Sequence, residues 1–377
     1  MGTRPRLACE VRAEGVVAAR AEDALAVLSA VARVPLADKS VVPRLNAVEG
    51  SEQPPLGGDA AGRAAVVAAV RKTLEAVSLR SREVTLIVPD AAVRVLLLDF
   101  DELPAKPAEA LPVVRFRLKK LLPFDADDAA VSYQVLATAK GSLQVLAVAM
   151  PRVLLADYES VVREAGFEPG AVLPSTLAAL AGLPEQDAPV LVVNAGRDGV
   201  TTAIVKAGVL LLHRTVDLGA DLRDDAAAAH LAASAVQAPP AMPEQWPRQD
   251  PISFNHQNDD AAALEAAALI QEIELEVAQE VASQRSLTET AGEVAQAVSV
   301  AAAYFEDTLQ TPPAAIHAAG TLGAATLAAL LGDAHVGPLA VQEMLHSQML
   351  GAGATSAGSP GGVPLGWLTG VRGALAN

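Results

Sequence analysis

The sequence is poor in cysteine, in aromatic residues and in positive charge. Its 377 residues include a single cysteine, Cys9, and only 3% are aromatic. One thiol excludes a disulfide framework and is typical of a reducing compartment. Because 51% of the residues are nevertheless hydrophobic, the core must consist mainly of alanine, valine and leucine. The length is sufficient for two domains or for one large bilobal domain.

The net charge argues against a nucleic-acid partner. The chain has 28 lysines and arginines against 44 acidic residues, which gives −16 at neutral pH. Binding to nucleic-acid phosphates requires clustered lysine and arginine. The one basic run, Arg115–Lys120, is either a solvated helix surface or a partner site.

No stretch of the sequence is long and apolar enough to cross a membrane, which takes about 18 residues. The first eleven residues also lack the apolar stretch of a secretion signal. We therefore expect a cytoplasmic protein with no direct membrane span.

The motifs of several enzyme classes are missing as well. Neither the phosphate-binding pattern G-x-x-x-x-G-K-[ST] nor the serine-hydrolase pattern G-x-S-x-G occurs. The six histidines lack metal-ligand spacing, and His213 and His317 are expected in strands. Asp125, Asp127 and Asp128 lack the glycine of a cation loop and are expected in a solvated connector. We predict no metal site and assign no catalytic residue.

The stretch Val190–Leu218 gives the clearest structural signal. Three short apolar runs are separated by glycine-bearing turns, which predicts a three-stranded β-meander. Backbone N–H groups in the turn after Ala195 could bind an anion. The turn could equally be an ordinary hairpin with glycine at its special conformations.

The same plan occurs at the N-terminus. Leu7–Val11 corresponds to Leu191–Ala195, and Gly15 corresponds to Gly199, which indicates an internal duplication. Further along, Ala314–Ala319 predicts a strand that leads through glycines into a helix. Two hairpins and one such strand–helix corner make a two-lobed nucleotide cleft plausible.

The remaining elements suggest three parts. We predict the first part of a lobe over residues 1–83, with helices at Glu22–Ala32 and Gly62–Val77. The pattern over residues 84–170 predicts an inserted β-β-α-β-β-α subdomain. Residues 171–377 complete the main domain and include a proline-rich, polar flexible loop over 237–260.

The order of these elements resembles the PilM family, the actin-like proteins of type IV pilus assembly. Its relatives in plan are FtsA and the cytoplasmic part of GspL. Within Val88–Leu136, the segments VPDAAVRVLLLDFDELP, VRFRLKKLLPF and VSYQVL are similar to the inserted subdomain of that family. Leu191–Asp221 is similar to its second phosphate hairpin. The resemblance implies an α/β, actin-like (ribonuclease H-like) bilobal fold with an inserted small α+β subdomain.

The resemblance also implies a nucleotide cleft for ATP and Mg²⁺. The residues that it places there are Glu10, Arg12, Gly15, Asn194, Gly196, Thr201, Gly219 and Gly320. Where the family pattern has aspartate and then glycine in the first hairpin, this chain has Glu10 and Arg12. Where the second hairpin has aspartate, it has Asn194, which suits Mg²⁺ less well than a carboxylate.

These departures predict that ATP and Mg²⁺ bind weakly or not at all. Arg12 could pair with a phosphate. We favour two other interpretations, in which its side chain either blocks the approach of the phosphate to the backbone or faces solvent. Glu10 could be a general base, but we favour a carboxylate on a surface turn. Ala319 adds a methyl group on the adenosine side of the cleft.

Two functions from different classes follow. The first is a cytoplasmic scaffold that the resemblance places on the inner-membrane platform of a type IV pilus or secretion machine. It would bind the N-terminal tail of a PilN-like membrane protein in a groove beside residues 84–170, be recruited by it, and contact other platform proteins. The alternative is an actin-fold ATPase or kinase-like phosphotransferase at the same cleft, although we expect hydrolysis to be weak or absent. An FtsA-like role fits poorly, since Leu365–Leu375 has one charge and three glycines.

Overall fold

The computed structural model describes residues 5–22, 26–36, 45, 56–139, 142–184, 187–197, 199–218, 291–333, 339–351, 354 and 362–376. The strands among them are β1 (Leu7–Arg12), β2 (Gly15–Ala21), β3 (Leu28–Pro35), β4 (Glu83–Val88), β5 (Arg94–Phe100), β6 (Ala129–Ala139), β7 (Ser142–Pro151), β8 (Glu168–Pro174), β9 (Val190–Ala195), β10 (Gly199–Lys206), β11 (Val209–Asp217), β12 (Ile316–Ala319) and β13 (Val341–Glu343). The α-helices are α1 (Ala60–Val77), α2 (Pro107–Leu118), α3 (Arg152–Glu164), α4 (Ser175–Ala181), α5 (291–309), α6 (Gly323–Asp333) and α7 (Leu365–Leu375). The loop predicted over 237–260 lies outside the described residues.

Two five-stranded sheets repeat one plan. The first sheet has the order β3-β2-β1-β4-β8, and the second has the order β11-β10-β9-β12-β13. In each, the central strand pairs antiparallel with the hairpin partner that follows it and parallel with a later strand. The predicted duplication is confirmed, because β1 and β9 occupy the same place in their sheets.

The central strands are apolar along most of their length because both faces of each sheet are covered. Every residue of β1 and of β9 is buried, as expected for strands that are packed on two sides. On one face of the first sheet lie α1 and α3. On its other face lies α7. The second sheet packs against α5 and α6.

Helix α1 follows the prediction from its apolar spacing. Asp59 caps its first turn by accepting a hydrogen bond from the N–H of Gly62 at 2.7 Å. The valines and leucine of its predicted face are buried against the first sheet: Val66, Val67, Val70, Leu74 and Val77. Burial of each such side chain contributes roughly 1.5–3 kcal/mol.

A separate three-stranded sheet of order β5-β7-β6 lies in the sequence between β4 and β8 of the first sheet. It spans Arg94–Pro151 and packs on α2 through its own small core around Leu98, Val114 and Leu118. On either side of it in the sequence, β4 and β8 pair in parallel as members of the first sheet. We therefore propose residues 94–151 as the inserted subdomain, which is narrower than the interval 84–170.

The helix predicted at Glu22–Ala32 is wrong. Leu28–Pro35 is strand β3, which pairs antiparallel with β2. Alanine-rich segments fit a helical spacing almost anywhere, but pairing with a hairpin edge overrides this weak local preference.

No helix in the described part of the chain is both long and apolar enough to cross a membrane.

Candidate functional site

The turns of the two central hairpins face each other across a small polar cleft. The turn between β1 and β2 contributes Ala13 and Glu14, and the turn after β9 contributes Gly196. Asp90, which follows β4, and Ser175, the first residue of α4, line the same space. The remaining volume is about 50 Å³, which holds a few water molecules. A small-molecule pocket usually has at least roughly 300 Å³.

Arg12 lies at the centre of the polar contacts in this cleft. Its Nη2 is 2.6 Å from Oε1 of Glu10. The same nitrogen donates to Oγ of Ser175 at 2.7 Å and to Oδ1 of Asn194 at 3.3 Å. Since Arg12 comes from the first sheet and Asn194 from the second, the guanidinium joins the two sheets. Exposure of Arg12 to solvent, one of the two favoured alternatives, is therefore wrong.

Glu10 is buried completely, so the prediction of a surface-turn carboxylate is wrong as well. The physical reason is its position in the central strand β1, which is covered on both faces. Burial raises the pKa of Glu10, and this outweighs the lowering by Arg12 and by the hydroxyl of Ser175, which donates at 2.6 Å. No donor among the described residues reaches its second oxygen, Oε2.

A second cluster adjoins the first around Asp90. Its carboxylate oxygens accept from the backbone N–H of Thr176 at 3.1 and 3.2 Å and from its hydroxyl at 2.6 Å. The amide of Asn194 donates to Thr176 Oγ1 and to Ser175 Oγ, both at 2.9 Å. His213, in β11 as predicted, lies 4.0 Å from Asp90. Burial lowers the pKa of His213 more than the charge of Asp90 raises it, which favours a neutral imidazole.

The carboxylate of Glu14 reaches from the first hairpin into the turn of the second. Its Oε1 accepts a hydrogen bond from the backbone N–H of Arg197 at 2.6 Å and another from the hydroxyl of Thr321. The oxygen lies so close to Gly196 that a Cβ there would be 2.9 Å away. Burial raises the pKa of Glu14, but these hydrogen bonds and the charge of Arg12 bring it below its ordinary value. Glu14 is therefore an ionised group that is held by donors following strands β9 and β12 of the second sheet.

Helix α7 packs beside the cleft through a stripe of glycines. Gly366 approaches the carbonyl of Gly320, Gly370 approaches Glu10, and Gly373 approaches the carbonyl of Ala178 in α4. A Cβ on Gly370 would lie 2.6 Å from Oε2 of Glu10. The helix can lie this close to both sheets only because its stripe has no side chains.

The structure brings most of the predicted site residues together. Five of them line or border the cleft, namely Glu10, Arg12, Asn194, Gly196 and Thr201. Gly320 adjoins them, with φ of +88° and a Cβ direction blocked by Asn194 and Ala195. Gly15 faces Val34 and Trp367 instead. Gly219 lies outside the described residues.

Several residues of the cleft were missed from the sequence. Glu14, Asp90, Ser175 and Thr176 make its hydrogen bonds, yet none belongs to a recognisable motif. The G-x-x-x-G-x-x-G spacing at Gly366, Gly370 and Gly373 was a visible signal of close helix packing. Within the described ranges, no group of three or more histidine, cysteine, aspartate or glutamate side chains could hold a metal ion.

A larger apolar groove lies beside the inserted subdomain. Its volume is about 550 Å³, and β6, β7, β8, α4 and the β9–β11 meander contribute to its walls. Half-buried side chains form much of the lining, including Leu146, Val172, Leu177 and Leu180. Among the described strands, β6 lies at one edge of its sheet, and an edge strand can pair with an extended chain.

Comparison with known proteins gives a match in structure alone. No protein-family description and no curated protein sequence matches the chain. A PilM–PilN type IV pilus biogenesis complex contains a chain that is 17% identical, with a TM-score of 0.56 over 99% of this chain and 98% of that one. The cytoplasmic domain of EpsL, an inner-membrane component of the type II secretion system of Vibrio cholerae, is 15% identical, with a TM-score of 0.36 over 56% and 70%.

A Bacteroides thetaiotaomicron protein of unknown function with an actin-like ATPase fold is 7% identical, with a TM-score of 0.33 over 61% of this chain and 76% of that one. The assignment of the fold rests on the first comparison, whose TM-score exceeds 0.5 and which spans nearly the whole of both chains. The resemblance stated from the sequence is thus confirmed at the level of structure: this chain has the actin-like α/β fold of PilM, with an inserted small subdomain.

Proposed function

We propose that the chain is an actin-like scaffold of a type IV pilus or related secretion platform at the inner membrane. It acts in the cytoplasm and binds the cytoplasmic tail of a PilN-like membrane protein, which recruits it to the membrane. Other platform proteins are further partners, whereas the net charge of −16 disfavours nucleic acid.

The observation that carries this proposal is the contrast between the two cavities. The polar cleft retains about 50 Å³ because side chains of the chain itself fill it. The apolar groove beside the inserted subdomain offers about 550 Å³. An extended tail can bind there through main-chain hydrogen bonds to edge strand β6 and through apolar side chains in pockets.

The second part of the proposal is that the nucleotide cleft is degenerate. Mg²⁺ requires carboxylate or water oxygens, but Oε1 of Glu10 is engaged by Arg12 and Ser175. A phosphate near the second hairpin would meet the carboxylate of Glu14. ATP hydrolysis in this account is weak or absent, and an ATPase or phosphotransferase at this cleft would first need Glu10 released from Arg12.

Binding of the tail tests the proposal directly. A synthetic peptide of the N-terminal cytoplasmic tail of a PilN-like protein is titrated into the full chain and followed by fluorescence polarisation. Leu180→Asp, in the groove wall, should weaken binding at least tenfold, because an apolar side chain buried in an interface contributes roughly 1.5–3 kcal/mol.

Val153→Asp is the matched control for this experiment. Val153 is 84% exposed on α3 and does not line the groove, so its variant should bind like the wild type. Absence of peptide binding, or an equal loss in both variants, would contradict the proposed role of the groove.

A further inference from the structure

Glu14 makes contacts that ordinary turn residues do not make. It lies at the tip of the hairpin between β1 and β2, but its carboxylate is bound by groups of the other half of the molecule. The backbone N–H of Arg197 and the hydroxyl of Thr321 both donate to Oε1. These two donors are far apart in the sequence and converge on a single oxygen atom.

The carboxylate of Glu14 lies where a bound anion would be expected next to the second hairpin. Backbone N–H groups in a glycine turn form a concave site for negatively charged oxygens, and here the turn is the one that follows β9. A carboxylate and a phosphate present similar acceptor oxygens to such donors. The depressed pKa of Glu14 agrees with an ionised group in a site that prefers negative charge.

We propose that Glu14 is a built-in ligand of the second hairpin and takes the place of a phosphate group there. The chain thus supplies from its first hairpin the anion that would otherwise come from a nucleotide. Arg12 adds the positive charge, since its guanidinium favours the ionised form of Glu14 and pairs with Glu10. The two halves are held together across the cleft with no diffusible ligand.

The inference predicts that removal of the carboxylate creates a vacant anion site. Thermal unfolding of the full chain is measured for the wild type, Glu14→Ala and Glu14→Gln, with Glu75→Ala as control. Glu75 is an exposed residue of α1. Each protein is measured in chloride and in millimolar inorganic phosphate or pyrophosphate at equal ionic strength.

Glu14→Ala should unfold several degrees below the wild type in chloride and recover at least half of that loss in phosphate or pyrophosphate. Wild type and Glu75→Ala should show no anion-specific shift. Glu14→Gln should lose less stability and recover none, because the amide still fills the site. A Glu14→Ala melting temperature equal to that of Glu75→Ala, or one that is lower but insensitive to both anions, would overturn the inference.

Glu14→Gln keeps the test decisive if Glu14→Ala does not fold. It preserves the shape of the side chain and removes only the charge. Its melting temperature should lie about 2 °C or more below that of Glu75→Gln, and equal values would again overturn the inference.

The inference rests on the proposed function only in treating the cleft as one that works without nucleotide. Peptide binding separates the two ideas. If Glu14→Ala ignores both anions while the wild type binds the tail peptide, the built-in ligand alone is wrong. If the wild type fails to bind the peptide, the proposed function is wrong whatever the anions do.

Discussion

At the scale of single residues, Arg12 and Glu10 form an ion pair in the interior of the protein. The carboxylate is fully buried and the guanidinium is 10% exposed. Desolvation of two charges offsets much of their attraction, so such a pair adds little net stability. What it does add is a penalty for separation, because opening the cleft would leave a buried charge without its partner.

We predict a large effect when one partner is removed. Arg12→Met should lower the free energy of unfolding by about 3–5 kcal/mol, since Glu10 then stays buried with only Ser175 to satisfy it. The double variant Glu10→Gln with Arg12→Met should lose less than Arg12→Met alone. Urea denaturation of the full chain gives these differences.

Arg163→Met provides the comparison on the surface. Arg163 pairs with Glu159 at 2.7 Å on the exposed face of α3, where an ion pair contributes about 1 kcal/mol or less. If Arg12→Met costs no more than Arg163→Met, the buried pair does not hold the cleft as described here.

At the scale of elements, α7 depends on glycine where a helix usually disfavours it. Glycine inside a helix costs roughly 0.5–1 kcal/mol relative to alanine. In α7 this cost is offset by close packing, because the stripe of Gly366, Gly370 and Gly373 contacts parts of both sheets and α4. The helix thereby connects both halves on the side of the cleft next to Glu10.

This packing predicts opposite effects for the same substitution in two helices. Gly370→Ala should destabilise the protein by about 1–3 kcal/mol, because the new methyl group overlaps the Glu10 carboxylate. Gly332→Ala, in α6, places its new methyl group more than 4 Å from every described atom outside its own stretch of helix, so it should be neutral or stabilise by up to about 1 kcal/mol. A chemical-denaturation curve for each variant decides this, and a stabilising Gly370→Ala would refute the role of the stripe.

Elements with a strong local signal could be predicted from the sequence. The meander Val190–Leu218, its counterpart at Leu7–Val11 and helix α1 each combine apolar spacing with glycine or a cap, and all three are found. The alanine-rich segment at Glu22–Ala32 has no such signal, and pairing with β2 determines the structure from Leu28 onwards.

The cleft could be predicted in its location but not in its contacts. Glu10, Arg12 and Asn194 were identified through the resemblance to the PilM family, whose phosphate hairpins they depart from. Their partners lie far away in the sequence, as Ser175 is 163 residues from Arg12. Hydrogen bonds over such separations leave no local pattern, so neither the burial of Glu10 nor the insertion of Glu14 was visible.

At the scale of the whole molecule, the actin-like plan places two different sites on one framework. Polar contacts across the cleft between the hairpins join the two sheets, and the groove beside Arg94–Pro151 offers an apolar surface. Residues 94–151, our proposed inserted subdomain, contain seven lysines and arginines and seven acidic residues, so the net charge of −16 lies on the rest of the chain. We propose that the first site gives rigidity and the second gives binding.

The central claim is that the chain binds its partner without nucleotide, and calorimetry tests it most directly. The full chain is titrated with MgATP alone, and then with the PilN-like tail peptide in the absence and presence of millimolar MgATP. We predict no saturable heat from MgATP and the same peptide Kd in both conditions. Saturable binding of MgATP below millimolar concentration, or a peptide Kd that changes severalfold with it, would contradict the account, since a change in affinity requires energetic coupling between an occupied cleft and the groove.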